Sequence, residues 1–421
     1  MRLPFERREI ISLAEMLLLS FLIRVALFAV AGYKNDMGTF EAWFGAAANY
    51  GIRPFYQVVS WHSGYPPFNV YLFWLFGSLA KSLSLYGTPY IAYLIKLPST
   101  IFDLATAFLI FIFVRRKLDF KLSFMASELY AFNPATIFNG AVFGQYDAIY
   151  TFFLILSLVL ILDSKPTLSA VAFTFAVLTK PQSIALAPLL IFLIVKKHGW
   201  KKLATSIIAT AATVMIVIIP FQWNNPVTFL LDIYSVGYGA YPFTTMNAFN
   251  TWALGGMWQP DTQASFLIGW IMFGALTGFT LYILYKRLDV SGEMLILFSA
   301  FILFFGFFML PTRIHERYLF PALSALALMF PFVKKVKPIY GALIFTYLVN
   351  QAYVLYFLNN DMFIQSGDPV VLIVSLINLI VFLYALRLMF RDLRGQGLTQ
   401  TQPSQRPSKS LLEGSKGNAD Q

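Results

Sequence analysis

Chemistry in this chain has to come from a few polar side chains set into apolar sequence. Asp36 stands just past the first apolar run, in Lys34-Asn35-Asp36-Met37-Gly38-Thr39-Phe40-Glu41-Ala42-Trp43. The spacing of Phe40, Trp43, Phe44 and Ala47 predicts a short amphipathic helix lying on a membrane, with Asp36 near its start. There the carboxylate either caps the helix or acts as a base. Gln145 and Asp147 head another apolar run, and Lys180 with Gln182 flank Pro181. Such groups either cap helices and snorkel, or line a polar cavity. The densest cluster is Pro311-Thr312-Arg313-Ile314-His315-Glu316-Arg317-Tyr318. His315 and Arg317 suit an anion, above all a phosphate, with Glu316 orienting them. Tyr65, before Pro66-Pro67, either belongs to a stiff entry to the next helix or lines a site, and the amides Asn247 and Asn250 beside Phe249 and Trp252 offer surfaces for sugar hydroxyls and flat C–H faces, or simply pack a loop.

The elements that must position these groups follow from composition. The 421 residues are 58% hydrophobic and only 12% charged. An ordinary soluble protein carries about 25% charged residues, so a soluble enzyme and a disordered chain are both excluded. With no Cys, disulfides, thiolate nucleophiles and Cys-ligated metals are excluded as well. The three His have no metal-ligand spacing, and neither metal nor cofactor is expected. A membrane span needs about 20 apolar residues. About twelve candidate spans result, at 9–32, 90–114, 121–139, 146–162, 166–179, 181–195, 203–221, 263–285, 292–310, 317–333, 338–358 and 370–390. The expected fold is an all-α polytopic membrane protein.

Charge sets the expected topology. Basic residues cluster at the N-terminus, at 115–121, 196–202, 286–287 and 334–337, and in the tail. With the N-terminus cytoplasmic these all fall inside. The net charge of +11 is then a property of topology, and nucleic acid is not an expected partner. Two long outer loops, about 33–89 and 222–262, result, and every candidate site residue falls on that one side. The stretch 68–86 reads as an interfacial helix rather than a span. Residues 1–390 form one integral membrane catalytic unit, and 391–421 a disordered cytoplasmic tail.

Taken in order, the motifs resemble the GT-C type integral membrane glycosyltransferases, which use polyprenyl-phosphate-linked sugars. They are Asp36 with Trp43, Tyr65-Pro66-Pro67, Gly144-Gln145-Tyr146-Asp147, Lys180 with Gln182 and Pro188, Asn247-Ala248-Phe249-Asn250, and His315-Glu316-Arg317-Tyr318. The closest likeness is to the dolichyl-phosphate-glucose and dolichyl-phosphate-mannose dependent enzymes and their archaeal and bacterial relatives. The resemblance implies a core helix bundle with interfacial helices in the first outer loop. It implies Asp36 as catalytic base, and His315 and Arg317 with Lys180 as holders of the donor phosphate. Glu41, Tyr65, Gln145, Asp147, Gln182, Asn247, Asn250 and Glu316 are expected around the substrates. Some relatives carry two acidic residues after the first span; Glu41, five residues beyond Asp36, does not reproduce an adjacent pair.

The expected activity is inverting transfer of a hexose, mannose or glucose, from a polyprenyl-phosphate donor to a glycan or lipid-linked acceptor on the extracytoplasmic side. The membrane would be that of a prokaryotic cell, or the endoplasmic reticulum in a eukaryote. A transporter or flippase of lipid-linked sugars is the alternative; it would need polar residues through the mid-membrane, where Asp103 and Glu128 are the main examples. A scaffold subunit would leave Asp36 and the Arg/His cluster without a role.

Overall fold

The computed structural model describes residues 6–59 and 64–393. Arg2, Ser63 and the expected tail from 394 onward lie outside the described residues. The first helix, Arg7–Leu27, turns exposed leucines (Leu18, Leu19, Leu22) outward and buries Ser20 and Arg24. Apolar outside and polar inside is the pattern of a lipid-facing helix. Ile91–Arg115, Trp200–Ile218, Gln263–Met309, Val336–Asn359 and Pro369–Asp392 are also long and apolar enough to cross a membrane. With the first helix they make six such helices among the described residues.

The helices depart from the hydropathy runs where prolines and glycines interrupt them. The run 121–139 divides into Phe120–Ala131 and Pro134–Ile137, followed by a wide turn, Phe138–Phe143. Asn133 caps the second piece and Pro134 opens it, the position at which a missing N–H costs nothing. The run 181–195 begins as a tight helical turn, Pro181–Leu186, and continues as Ala187–His198. The expected span at 317–333 is the short helix Phe320–Met329. Asp147–Leu162 and Pro166–Val177 form an apolar hairpin whose helices are also shorter than a full span, joined through Ser157 and Ser169. Conversely, Gln263–Met309 has 47 residues, roughly 70 Å of helix and over twice the hydrocarbon thickness. It breaks at Gly292, where φ is 57°.

The expected amphipathic helix after the first span is Lys34–Tyr50, and Pro67–Ser82 lies across it. A Cβ on Gly77 would lie 2.3 Å from the Phe44 carbonyl oxygen, so glycine permits this crossing. The region 222–262 contains a helix that its composition did not reveal, Pro226–Gly239, capped by Asn225. Inside the bundle, Arg24 Nε lies 3.5 Å from Asp103 Oδ2. Arg24 also donates to Ser20 Oγ and the Ala131 carbonyl, and Tyr130 donates to Asp103.

Candidate active site

The acidic wall begins where the first helix ends. Lys96, fully buried in Ile91–Arg115, donates to the carbonyls of Phe28 (3.1 Å) and Val30 (2.6 Å). It thereby satisfies acceptors that the helix end leaves open. The chain then passes Gly32, where a Cβ would lie 2.7 Å from the Phe143 carbonyl oxygen. Asp36 sits in the first turn of Lys34–Tyr50, where the helix dipole favours a carboxylate. It is not the cap: Tyr33 holds that position, without a side-chain bond. Instead Asp36 Oδ2 accepts a 2.6 Å hydrogen bond from Gln145 Nε2. Gln145 is placed by the left-handed Gly144 (φ 85°), and its own carbonyl accepts from Ser99 Oγ at 2.6 Å.

The basic wall comes from two segments distant in sequence. Lys180, between Pro166–Val177 and the turn at Pro181, donates to Asp147 Oδ1 at 3.1 Å and lies over the rings of Tyr65 and Tyr150. Asp147 is fully buried and also accepts from Asn139. Arg317 donates to Glu316 at 3.0 Å, and its Nε is 4.0 Å from Asp147 Oδ2. His315 packs edge-on to Tyr241 and tilts against Tyr318. A short parallel ladder, Thr245–Met246 on Ile314–His315, draws the segment after Pro226–Gly239 onto this wall and sets Asn247 beside His315. Arg313 faces elsewhere: it binds Asp261 at 2.8 Å and stacks on Tyr238 and Phe266. It anchors the ladder and stays off the central cavity between the two walls.

Burial and neighbouring charge set the protonation states. Burial, with Arg317 and Lys180 beside it, holds the His315 pKa well below its usual 6.5. His315 is therefore a neutral hydrogen-bonding group at pH 7, whereas the sequence presents it as part of a cationic clamp. Burial lowers the Lys180 pKa, as does Arg317, while Asp147 opposes the shift. Burial raises the Glu316 pKa against the pull of Arg317. The Tyr318 hydroxyl is pushed up to about 12 by burial and stays protonated.

Both walls line one open cavity of about 240 Å³. Asp36, Tyr65, Gln145, Lys180, Gln182, Asn247, His315, Glu316 and Arg317 all border it. Three expected residues do not. Asp147 lies beneath the wall as the counter-ion of Lys180 and Arg317. Glu41 turns away and accepts from the Gly87 backbone N–H. Asn250 is fully buried and ties the Phe308 carbonyl to the backbone of Trp252 and Ala253. Tyr33 and Trp258 border the cavity without having been anticipated, because one aromatic among so many carries no signal. Among the described residues, no three His, Asp or Glu side chains converge as metal ligands.

Two further cavities adjoin the first. One of about 170 Å³ shares Gln182, Tyr241, His315 and Tyr318 with it, and adds Ile184, Trp270, Phe307 and Ile314 together with Tyr238, Thr312 and Arg313. The other, about 250 Å³, shares Tyr33, Asn247, Trp258 and Leu358. No curated protein matches the chain significantly. Residues 65–223 match the family model described as dolichyl-phosphate-mannose-protein mannosyltransferase. That segment carries Tyr65, Gln145, Asp147, Lys180 and Gln182 but neither Asp36 nor the 311–318 turn. Together with the apolar helices, the match supports an integral membrane, GT-C-like glycosyltransferase.

Proposed function

We propose that this chain is an inverting glycosyltransferase that moves a hexose, mannose or glucose, from a polyprenyl-phosphate donor to a glycan or lipid-linked acceptor on the extracytoplasmic side of the membrane. The observation that carries the reading is that Asp36 and the Lys180–His315–Arg317 group border one cavity. Arg317 and Lys180 hold the donor phosphate, with His315 contributing a neutral hydrogen bond. Asp36, oriented by Gln145, accepts the proton of the attacking hydroxyl. The acceptor oxygen bonds to the anomeric carbon while the bond from that carbon to the phosphate oxygen breaks. Its electron pair leaves with the phosphate, where fixed cations stabilise the charge. A base and a leaving-group clamp on opposite faces of the ring give inversion. The adjoining cavity lies on the cation side, and its Ile184, Trp270 and Phe307 face would take the first prenyl units, with Arg313 and Thr312 at its opposite edge. In this reading the chain through 390 is one catalytic unit, the shorter apolar helices complete a GT-C type bundle around the six long ones, and both termini are cytoplasmic.

Transfer from a polyprenyl-phosphate hexose in nanodiscs tests it. Asp36→Asn is expected to lower turnover by about 10²–10⁴-fold, the usual worth of a positioned base, with donor binding retained. Turnover near the wild-type value would remove Asp36 as the base.

A further inference from the structure

The cavity of about 250 Å³ beyond Tyr33 is bordered by none of Lys180, His315 and Arg317, and its walls are built, not incidental. The segment leading to Asp36 is fastened to the end of Val336–Asn359. Asn359 donates to the Gly32 carbonyl and accepts from the Lys34 N–H, and Lys34 pairs with Asp361 at 2.7 Å. On the opposite side Trp258 donates to Asn247 Oδ1 at 3.1 Å. Both Trp258 and Asn247 have left-handed backbones, with φ of 58° and 62°, a conformation unfavourable for a bulky Trp unless its surroundings hold it. Phe363, 79% exposed, stands edge-on to Trp258 across the mouth. Tyr33, three residues before Asp36, borders both cavities.

We propose that this vestibule is the acceptor subsite and that it takes a saccharide, not a polypeptide. The inference rests on the transferase reading above and names the substrate class of that same site. The first argument is directional. In an inverting displacement the nucleophile and the leaving group approach from opposite faces. The apolar cavity joins the central one through His315, Gln182 and Tyr318, on the phosphate side. The vestibule joins it through Tyr33, three residues before Asp36, and through Asn247 and Trp258 at the end of the basic wall, so it reaches the base without passing Lys180 or Arg317. The second argument is chemical. A pyranose has flat C–H patches and a rim of hydroxyls. Trp258, Tyr33 and Phe363 offer aromatic surface, and Asn247 and Asp361 offer acceptors at its edge. An apolar wall with a few convergent polar groups is the usual make-up of a small-ligand site. The vestibule has no row of open strand edge to which an extended peptide would add.

The test is equilibrium binding of α-mannobiose, and separately of a Ser/Thr-containing heptapeptide, to the full-length protein in nanodiscs. Saturable mannobiose binding is expected, weakened at least fivefold in both Phe363→Ala and Asp361→Asn. In Asp36→Asn, which turns over poorly, mannobiose binding is expected to persist. Phe363 is exposed, so its truncation leaves the packed core intact; equal thermal midpoints verify this. No saturable disaccharide binding, binding indifferent to both substitutions, or saturable binding of the heptapeptide alone would each overturn the proposal. These outcomes separate it from the parent reading. Turnover that depends on Asp36, without disaccharide binding at the vestibule, keeps the transferase and discards the subsite.

Discussion

Arg24 with Asp103 and Lys180 with Asp147 are both ion pairs withdrawn from water, each between helical segments far apart in sequence. Around Arg24 the partners are Ser20, the Ala131 carbonyl and Tyr130, and packed side chains surround them. None of the three cavities described above is bordered by Arg24 or Asp103. Around Lys180 there are further charges, Arg317 and Glu316, and an open cavity in front of them. A buried charge is therefore not itself the mark of a site. What marks the second pair is a surplus of ionisable groups facing space large enough for a ligand.

The sharpest way to break this contrast is to remove one partner of the closed pair. Asp103→Ala leaves Arg24 uncompensated in the bundle, a change that typically costs about 3–5 kcal/mol. The expected result is a much lower thermal midpoint and poor recovery of folded protein. A variant of unchanged midpoint would show that the closed pair does not hold the helices. On the open side, Arg317→Lys keeps the charge but loses the planar fork. Donor affinity is expected to fall roughly 10–100-fold, the worth of about 1.5–3 kcal/mol for a charge-assisted hydrogen bond, with a smaller change in midpoint. If Arg317→Lys instead lowers the midpoint as far as Asp103→Ala does, the two pairs are alike and the contrast fails.

The smallest effect is in pH. The pKa of His315 is lower in the folded protein than the usual 6.5. As pH falls below 6.5 the unfolded chain binds a proton that the folded chain refuses, so stability is lost on acidification. Above that value the group contributes no pH dependence. Glu316, whose pKa is raised above its usual 4.5, acts in the opposite sense, adding stability as pH falls through its folded-state pKa. Comparing the thermal midpoint of the wild type and His315→Gln between pH 7.5 and 5.5 isolates the histidine. The wild-type midpoint should fall more steeply, and parallel curves would show His315 to titrate normally.

Much of the site is legible in the sequence because polar residues stand out against apolar runs. Asp36, Lys180 and the turn at 315–317 announce themselves in that way, and each borders the cavity. Glu41 and Asn250 announce themselves equally, yet one holds a backbone N–H and the other knits a buried turn. Residue type alone cannot say which way a side chain points. Trp258 and Tyr33 pass unnoticed among 74 aromatic residues, the sum of 44 Phe, 22 Tyr and 8 Trp. The helices follow the same logic. Hydropathy parts 263–285 from 292–310 beside the break at Gly292, but it does not find the break at Asn133-Pro134, nor the helix Pro226–Gly239, whose exposed face is itself apolar. A count of spans from hydropathy therefore exceeds the six helices long enough to cross by themselves.

The two-residue ladder between Thr245–Met246 and Ile314–His315 also has a mechanical consequence. It zips the turn bearing His315 and Arg317 to the strand before Asn247, and Arg313 on Asp261 clips the same two segments a second time. Those segments must travel together. A headgroup pressing on the basic wall therefore meets a single riveted panel, which cannot part along the seam between its two strands.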